Sequence, residues 1–213
     1  MDTKKDSANI TDAHKQVYDS VAEEYEQRAQ ARSNSSKQRV ERFVGFVTTG
    51  KTVLELGCAV GQELQNFNAL GFTSTGIELS PRMVVYAKRR NPTSEVITGD
   101  FASIEFVQRY DAVYAQAFIH LFPKDEAVRL MQKVFTLLKP GGVAFFGTTK
   151  AKKSEEGWIE KTDYADNPGR YRRFWTKAEL EHALTGVGFK IIDYYEELGL
   201  ENKDRMNITV RRD

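Results

Sequence analysis

Glu55, Glu78 and Asp100 each stand at or near the end of a short apolar run, where a carboxylate can accept hydrogen bonds from a ligand. Around the first the chain reads Glu55-Leu-Gly57-Cys-Ala59-Val-Gly61. Small residues on alternate positions let a backbone approach a ligand closely and turn sharply into a helix, whose first N–H groups can face an anion. A dinucleotide loop fits that description too, but one starting at Gly57 needs glycines at 59 and 62, where this chain has Ala59 and Gln62. Glu78, about 20 residues beyond the loop, is placed to accept hydrogen bonds from two ribose hydroxyls, which serves either kind of nucleoside cofactor. Asp100 can accept from an exocyclic amine, and the neighbouring Phe101 ring can cover an adenine face. Acids at three consecutive strand ends repel a pyrophosphate and suit a cationic sulfonium.

Other reactive side chains carry two readings each. Glu55 either touches ligand or orients the loop amides. His120, in Ala115-Gln-Ala-Phe-Ile-His-Leu121, is a candidate general base because an imidazole titrates near neutrality; it can equally hydrogen-bond a neighbouring loop. Tyr18 and Tyr25 lie on the apolar face of a helix, where packing and ligand contact compete. Cys58 has no basic neighbour in sequence and reads as a packing residue without chemistry of its own. His14 and His182 sit among polar helical residues and are expected to face solvent. Asp111, at a strand start, is expected to be structural.

The elements that must hold these residues follow from periodicity. Residues 1–10 are polar and aperiodic and are expected to form a flexible tail, with order beginning near Thr11. Val17, Tyr18, Val21, Ala22 and Tyr25 recur at helical spacing, as do Val40, Phe43, Val44 and Val47, with a polar loop over 31–36 between the two helices. Strands and helices then alternate: strand 52–56, helix 61–70, strand 74–79, helix 80–90, strand 95–98, strand 110–115, helix 124–138 and strand 143–148. Ser80 as N-cap with Pro81 behind it opens the second of these helices, and Lys139-Pro-Gly-Gly142 closes the last. Residues 150–175 interrupt the alternation with charged and aromatic residues. Thr176-Lys-Ala-Glu179 is a capping box for a helix ending at Gly188, and 189–196 with 206–211 can pair as an antiparallel hairpin.

The pattern implies an α/β fold: a doubly wound, mostly parallel sheet with helices on both faces and a C-terminal antiparallel hairpin. It is expected as one domain over 11–213, with N-terminal cap helices (11–50), a cofactor-binding core (51–149), an insert or lid (150–175), and a C-terminal helix and hairpin (176–213). Lysine plus arginine (31) nearly balance aspartate plus glutamate (30), for a net charge of +1. No global field recruits nucleic acid or an anionic membrane. No apolar stretch approaches the roughly 20 residues that span a bilayer, and the polar start lacks a signal-peptide core; a cytoplasmic location is expected. One cysteine and three scattered histidines offer no disulfide and no zinc spacing, so no metal is expected.

Five segments in register, Val53-Leu-Glu-Leu-Gly-Cys-Ala-Val-Gly61, Gly76-Ile-Glu-Leu-Ser80, Gly99-Asp-Phe101, Tyr110-Asp-Ala-Val113 and Leu137-Leu-Lys-Pro-Gly-Gly142, resemble the class I S-adenosylmethionine-dependent methyltransferases. The likeness runs from about Val53 to Gly188. Tyr18-Asp-Ser-Val-Ala-Glu-Glu-Tyr25 also resembles the cofactor-covering helix of the small-molecule members. The resemblance implies a Rossmann-like seven-stranded sheet. It further implies S-adenosyl-L-methionine as cofactor, held by the Gly57–Gly61 backbone at its methionine part, by Glu78 at its ribose and by Asp100 with Phe101 at its adenine. Tyr25, Glu55, Cys58, Leu79 and Gln116 complete the expected cofactor set. Ala59 departs from the family's usual glycine, and a slightly displaced loop is expected there.

Tyr18, His120, Trp158 and Tyr171 are the expected acceptor-side residues, the last two as part of a lid that also includes Tyr164. The opposing reading of the insert is a loop packed on the sheet edge with solvated arginines. Gln116-Ala-Phe-Ile119 after the fourth strand differs from the Asn-Pro-Pro-Tyr-like segment of the DNA adenine and glutamine methylating groups. The expected activity is methyl transfer to O or N of a small molecule by in-line displacement. A peptide or protein acceptor, or a non-catalytic cofactor-binding module, are the competing readings; oligomeric state is not legible.

Overall fold

A computed structural model of the chain describes residues 3–29, 33–160, 169–198 and 204–213. Seven helices and nine strands are described in this order: α1 (Thr3–Ser20), α2 (Ala22–Ala29), α3 (Ser33–Val44), β1 (Thr52–Leu56), α4 (Gln62–Ala69), β2 (Thr73–Glu78), α5 (Pro81–Arg90), β3 (Glu95–Thr98), β4 (Tyr110–Gln116), α6 (Lys124–Leu137), β5 (Leu138–Thr149), β6 (Glu155–Ile159), β7 (Arg170–Phe174), α7 (Lys177–Val187), β8 (Lys190–Leu198) and β9 (Asp204–Arg211). A short 3₁₀ turn, Ile119–Leu121, follows β4.

Seven strands form one sheet in the order β3-β2-β1-β4-β5-β9-β8. The first five are parallel, and β9 and β8 join them antiparallel. Chain order reverses between β1 and β4, and in doubly wound sheets the ligand crevice opens beyond the strand ends at that switch. Alternate residues of the central strands feed two cores. Leu54, Val113, Ala115, Ala144 and Phe146 face one side with Met131 and Val134 of α6 and Leu180 of α7. Val53, Tyr114, Val143 and Phe145 face the other with Val40 and Phe43 of α3 and Phe67 of α4; the Tyr114 and Phe145 rings stack 4.4 Å apart.

Local signals account for the helix ends. Ser80 Oγ accepts from Met83 N, Thr176 Oγ1 accepts from Glu179 N, and α7 stops at Gly188 with φ 109°, a left-handed value that glycine adopts without strain. Asp111 is buried at the start of β4, where it accepts from Thr52 N and Thr52 Oγ1 and pairs with Lys139. Burial pushes its carboxyl up, but the bonds from Thr52 and Lys139 outweigh that and hold it at about 2. The structural role expected of Asp111 is the one these contacts describe.

Several boundaries differ from the sequence expectation. The helix expected to begin near Thr11 begins at Thr3, and Ile10, inside the expected tail, is buried; one apolar anchor among polar neighbours shows no period. A break at Val21 divides the first expected helix into α1 and α2. Ser33–Ser36, expected in a loop, are the first turn of α3, where Ser36 is buried and accepts from Asn66 Nδ2. β5 begins at Leu138, so Lys139-Pro-Gly-Gly142 lies within its bounds, beside a register shift between Tyr110 and Ala112. The insert folds its described residues into an antiparallel hairpin, β6–β7. Tyr164 lies outside the described residues. No described helix is long and apolar enough to cross a membrane.

Candidate functional site

The loop between β1 and α4 turns through three left-handed residues, Gly57 (φ 67°), Ala59 (φ 47°) and Gly61 (φ 76°). Ala59 and Ala117 are the two non-glycine residues with positive φ among those described. A glycine at 59 would relieve strain of the left-handed well, and the methyl group of alanine does not prevent the turn. Gly61 has a steric reason as well: a Cβ there would lie 2.5 Å from Asn91 Nδ2 and 3.1 Å from Ala87 Cα. Asn91 Nδ2 donates to the Gly61 carbonyl at 2.7 Å and fixes the loop on α5.

Glu78, at the end of β2, is buried, and its two oxygens accept from Ala59 N and Ser80 N, each at 2.9 Å. Burial raises its pKa, with the backbone donors opposing the rise. A carboxylate offers about four acceptor positions, so two fixed by the chain leave capacity for a ligand. Glu55 is also buried, its Oε2 has no hydrogen-bond partner, and burial with the charges of Glu63 and Glu78 lifts its pKa well above the ordinary value. Burial likewise pushes the Cys58 thiol well up, which keeps it protonated and without nucleophilic character.

Both acids line a cavity of about 860 Å³ at the carboxyl ends of the strands, together with Gly57, Cys58, Ala59, Leu79, Asp100 and Phe101. Asp100 is half-exposed and accepts from Ala102 N at 3.0 Å. The Phe101 ring is mostly committed to the core, edge-on to Phe118 and 5.0 Å from the Lys133 ammonium. Tyr18 and Tyr25 line the cavity from the N-terminal helices, and Gln116 and His120 from the β4 end. Both amide atoms of Gln116 are buried without a partner. His120 is buried, with Nδ1 3.1 Å from Thr148 Oγ1.

Three expected contact residues are not on the cavity wall. Gly61 shapes the turn behind it. Trp158 and Tyr171 are a cross-strand pair of the β6–β7 hairpin, edge to face at 6.1 Å, with Trp158 51% exposed. Side chains alternate along a strand, and on β7 it is Arg170 and Arg172, flanking Tyr171, that line the cavity. The hairpin covers the site with its guanidinium side; the alternation within Gly169-Arg-Tyr-Arg-Arg-Phe-Trp175 was the signal that could have found this.

His14 is the second correction. Expected in solvent, it is buried on the cavity wall, with Nε2 3.1 Å from the Tyr171 carbonyl oxygen. Burial, opposed by that bond and assisted by the charges of Arg170 and Arg172, lowers its pKa to about 4. Its sequence neighbours are polar because only this edge of α1 meets β7. His182 is exposed as expected. Arg39, Thr149, Glu197 and Arg205 also line the cavity, and no sequence pattern singled them out. Among the described residues no cluster of His, Cys, Asp and Glu could hold a metal ion.

A family profile described as "Methyltransferase domain" matches residues 23–194. Among curated proteins, the chain is 26% identical over 136 residues to the malonyl-[acyl-carrier protein] O-methyltransferase of Enterobacter lignolyticus, covering 63% of this chain and 53% of that protein. It is 31% identical over 106 residues to the ubiquinone biosynthesis O-methyltransferase of Paraburkholderia xenovorans, covering 47% and 45% respectively. The chain thus spans about half the length of these relatives. Among solved structures, CalS10 bound to S-adenosylmethionine, an amino pentose methyltransferase from Micromonospora echinaspora, superposes with a TM-score of 0.69 at 16% identity, over 89% of this chain and 96% of that one. That likeness is one of fold.

Proposed function

The chain belongs to the methyltransferase-domain family, and from that premise we propose that it transfers a methyl group from S-adenosyl-L-methionine to oxygen or nitrogen of a small molecule. The observation that carries the reading is the set of acids, Glu55, Glu78 and Asp100, brought from three neighbouring strand ends onto one cavity beside a left-handed small-residue loop. Such a wall disfavours a pyrophosphate and favours a cationic nucleoside ligand. The orphaned Glu55 Oε2 and the spare acceptor positions of Glu78 fit a ligand rich in N–H and O–H donors.

In this reading Glu78 holds the ribose hydroxyls, Asp100 accepts from the adenine amine beside Phe101, and the backbone around Gly57–Ala59 with Glu55 holds the methionine end. Leu79, Cys58, Tyr25 and Gln116 close around it. S-adenosylmethionine supplies a methyl group already activated by a sulfonium centre. The chain's part is to align the acceptor in line with that methyl group and exclude water, for which α1, α2 and the β6–β7 hairpin form the cover. His120 stands on the acceptor side as the group placed to accept a proton. The likeness to a ubiquinone biosynthesis O-methyltransferase and, in fold, to an amino pentose methyltransferase supports a small acceptor. A buried lone Cys58 suits the reducing cytoplasm.

Calorimetry with S-adenosylhomocysteine tests the cofactor half, and incubation with S-adenosylmethionine carrying a deuterated methyl group plus a metabolite extract tests transfer. Hydrogen bonds to a charged group are worth about 1.5–3 kcal/mol each, so Glu78→Ala should weaken S-adenosylhomocysteine binding by about tenfold or more. Failure of the intact protein to bind S-adenosylhomocysteine sinks the reading.

A further inference from the structure

Apart from Arg28 of α2 and Arg39 of α3, which lies 3.7 Å from Glu63, the charges lining the cavity divide along the sheet. On the side of β1, β2 and β3 its wall carries Glu55, Glu63, Glu78 and Asp100. On the other side of β4 in the strand order, the end of β5 contributes Thr149 and β9 contributes Arg205, and above them β7 contributes Arg170 and Arg172. These groups are neighbours by register: Thr149 pairs with Arg205 across β5–β9, and Arg172 Nη2 lies 3.2 Å from Thr149 Oγ1. Glu197, the carboxylate on this wall among the described residues, is opposite Arg205 in the β8–β9 pairing and accepts from Arg39 at 3.1 Å. Among its described residues the wall carries more positive than negative charge even with Glu197 counted.

The placement is specific to one face of the hairpin. Arg170 is 4% exposed, and turning a guanidinium inward is costly unless the interior offers it negative or polar groups. Each guanidinium carries five N–H donors in a planar fork that matches a carboxylate or phosphate two at a time. The contact between Arg172 Nη2 and Thr149 Oγ1 ties one arm of the fork to the end of β5. The positive potential is felt by a neighbour on the same wall: His14, bonded to the Tyr171 carbonyl between the two arginines, loses basicity to burial first and to the charges of Arg170 and Arg172 in addition.

We propose that the methyl acceptor carries a carboxylate or phosphate group, and that Arg170, Arg172 and Arg205 seat this group so that the nucleophilic atom is held toward the acid-lined cofactor end. This rests on the methyltransferase reading above. The anionic handle and the methylated atom are then different parts of the acceptor.

Protein loaded with S-adenosylhomocysteine is titrated calorimetrically with phenyl phosphate, with benzoate and with benzamide, the last a neutral match for benzoate. At least one anion is expected to bind ten times or more tightly than benzamide, and the preferred anion identifies the handle as phosphate or carboxylate. Arg172 and Arg205 are only half-buried, so Arg172→Gln and Arg205→Gln are expected to melt near the parent temperature. Each should weaken the preferred anion at least tenfold with S-adenosylhomocysteine affinity changed less than twofold, and Arg172→Lys should recover part of the loss. Binding of benzamide as tight as the preferred anion, no binding of either anion, or anion affinity indifferent to both glutamine variants overturns the proposal. Absence of S-adenosylhomocysteine binding in the parent protein overturns the methyltransferase reading instead.

Discussion

His14 and His120 line one cavity, are both buried, and differ in what fixes them. A carbonyl oxygen only accepts, so His14 Nε2 must carry the proton it gives to Tyr171, and the neutral ring keeps Nδ1 as an acceptor. His120 faces a hydroxyl, Thr148 Oγ1, which can donate or accept, so that contact alone does not fix its tautomer. The His14 environment has a measurable consequence for stability. Its pKa falls from an ordinary 6.5 to about 4 on folding, so between those values the unfolded chain takes up a proton that the folded chain refuses. Stability contributed by the neutral ring is complete above about pH 6.5 and declines as pH falls toward 4, by up to about 3 kcal/mol. His14→Asn should flatten that part of the curve, read as urea midpoints from pH 7 to 4. A variant with the parent's slope would show that this ring is not buried neutral. Nothing in the local sequence Thr11-Asp-Ala-His14-Lys-Gln16 signals this, because the burial comes from β7, more than 150 residues away.

Turns and caps were legible where their chemistry is local. The loop from Gly57 to Gly61 and the Ser80 cap are each specified within about five residues, by backbone that only small residues relieve and by a hydroxyl one turn from the amide it takes. The capping box at Thr176 was legible in half. Thr176 takes the Glu179 amide, but the Glu179 carboxylate turns outward to Arg173, Ser154 and Lys124. Tertiary partners outcompeted the local bond, and they tie α7 to the hairpin. Arg173, 5% exposed, reaches Glu156, Ser154 and Glu179 and lies 4.4 Å from the Trp175 ring. Removing one member of a buried ionic cluster strands its partners, at a cost of about 3–5 kcal/mol. Arg173→Met should therefore speed proteolytic cleavage within the β6–β7 hairpin by tenfold or more, with S-adenosylhomocysteine affinity nearly unchanged. Equal cleavage rates would mean that the hairpin is held by its other contacts.

The molecule as a whole is built from two kinds of contact, and this decided how much of it a sequence could disclose. The acid-lined wall comes from three successive strand ends within residues 55–101, a span in which motif spacing is also spatial spacing. The arginine-bearing wall joins α1, α3, the turn after β4, β7 and the β8–β9 pair. Its ties, His14 to Tyr171 and Arg39 to Glu197, span 157 and 158 residues. No periodicity reports such pairs, and loop and edge residues supply most of them. The N-terminal helices bridge the two walls. Asp19, at the end of α1, accepts from Ser80 Oγ and Arg82 N at the start of α5, immediately after Glu78. Gln62 Nε2 reaches the Ala29 carbonyl at the end of α2. A ligand bound by Glu78 and the Gly57–Gly61 loop therefore stabilises the footing of α1 and α2 as well as its own contacts, and local opening of those helices becomes coupled to its release. Hydrogen exchange read by mass spectrometry should show S-adenosylhomocysteine slowing amides of α1 and α2 by at least tenfold, alongside those after β1 and β2. Protection confined to the strand-end loops would mean that the helices cover the cavity without sharing in cofactor binding, and the Asp19 and Gln62 contacts would then be packing alone.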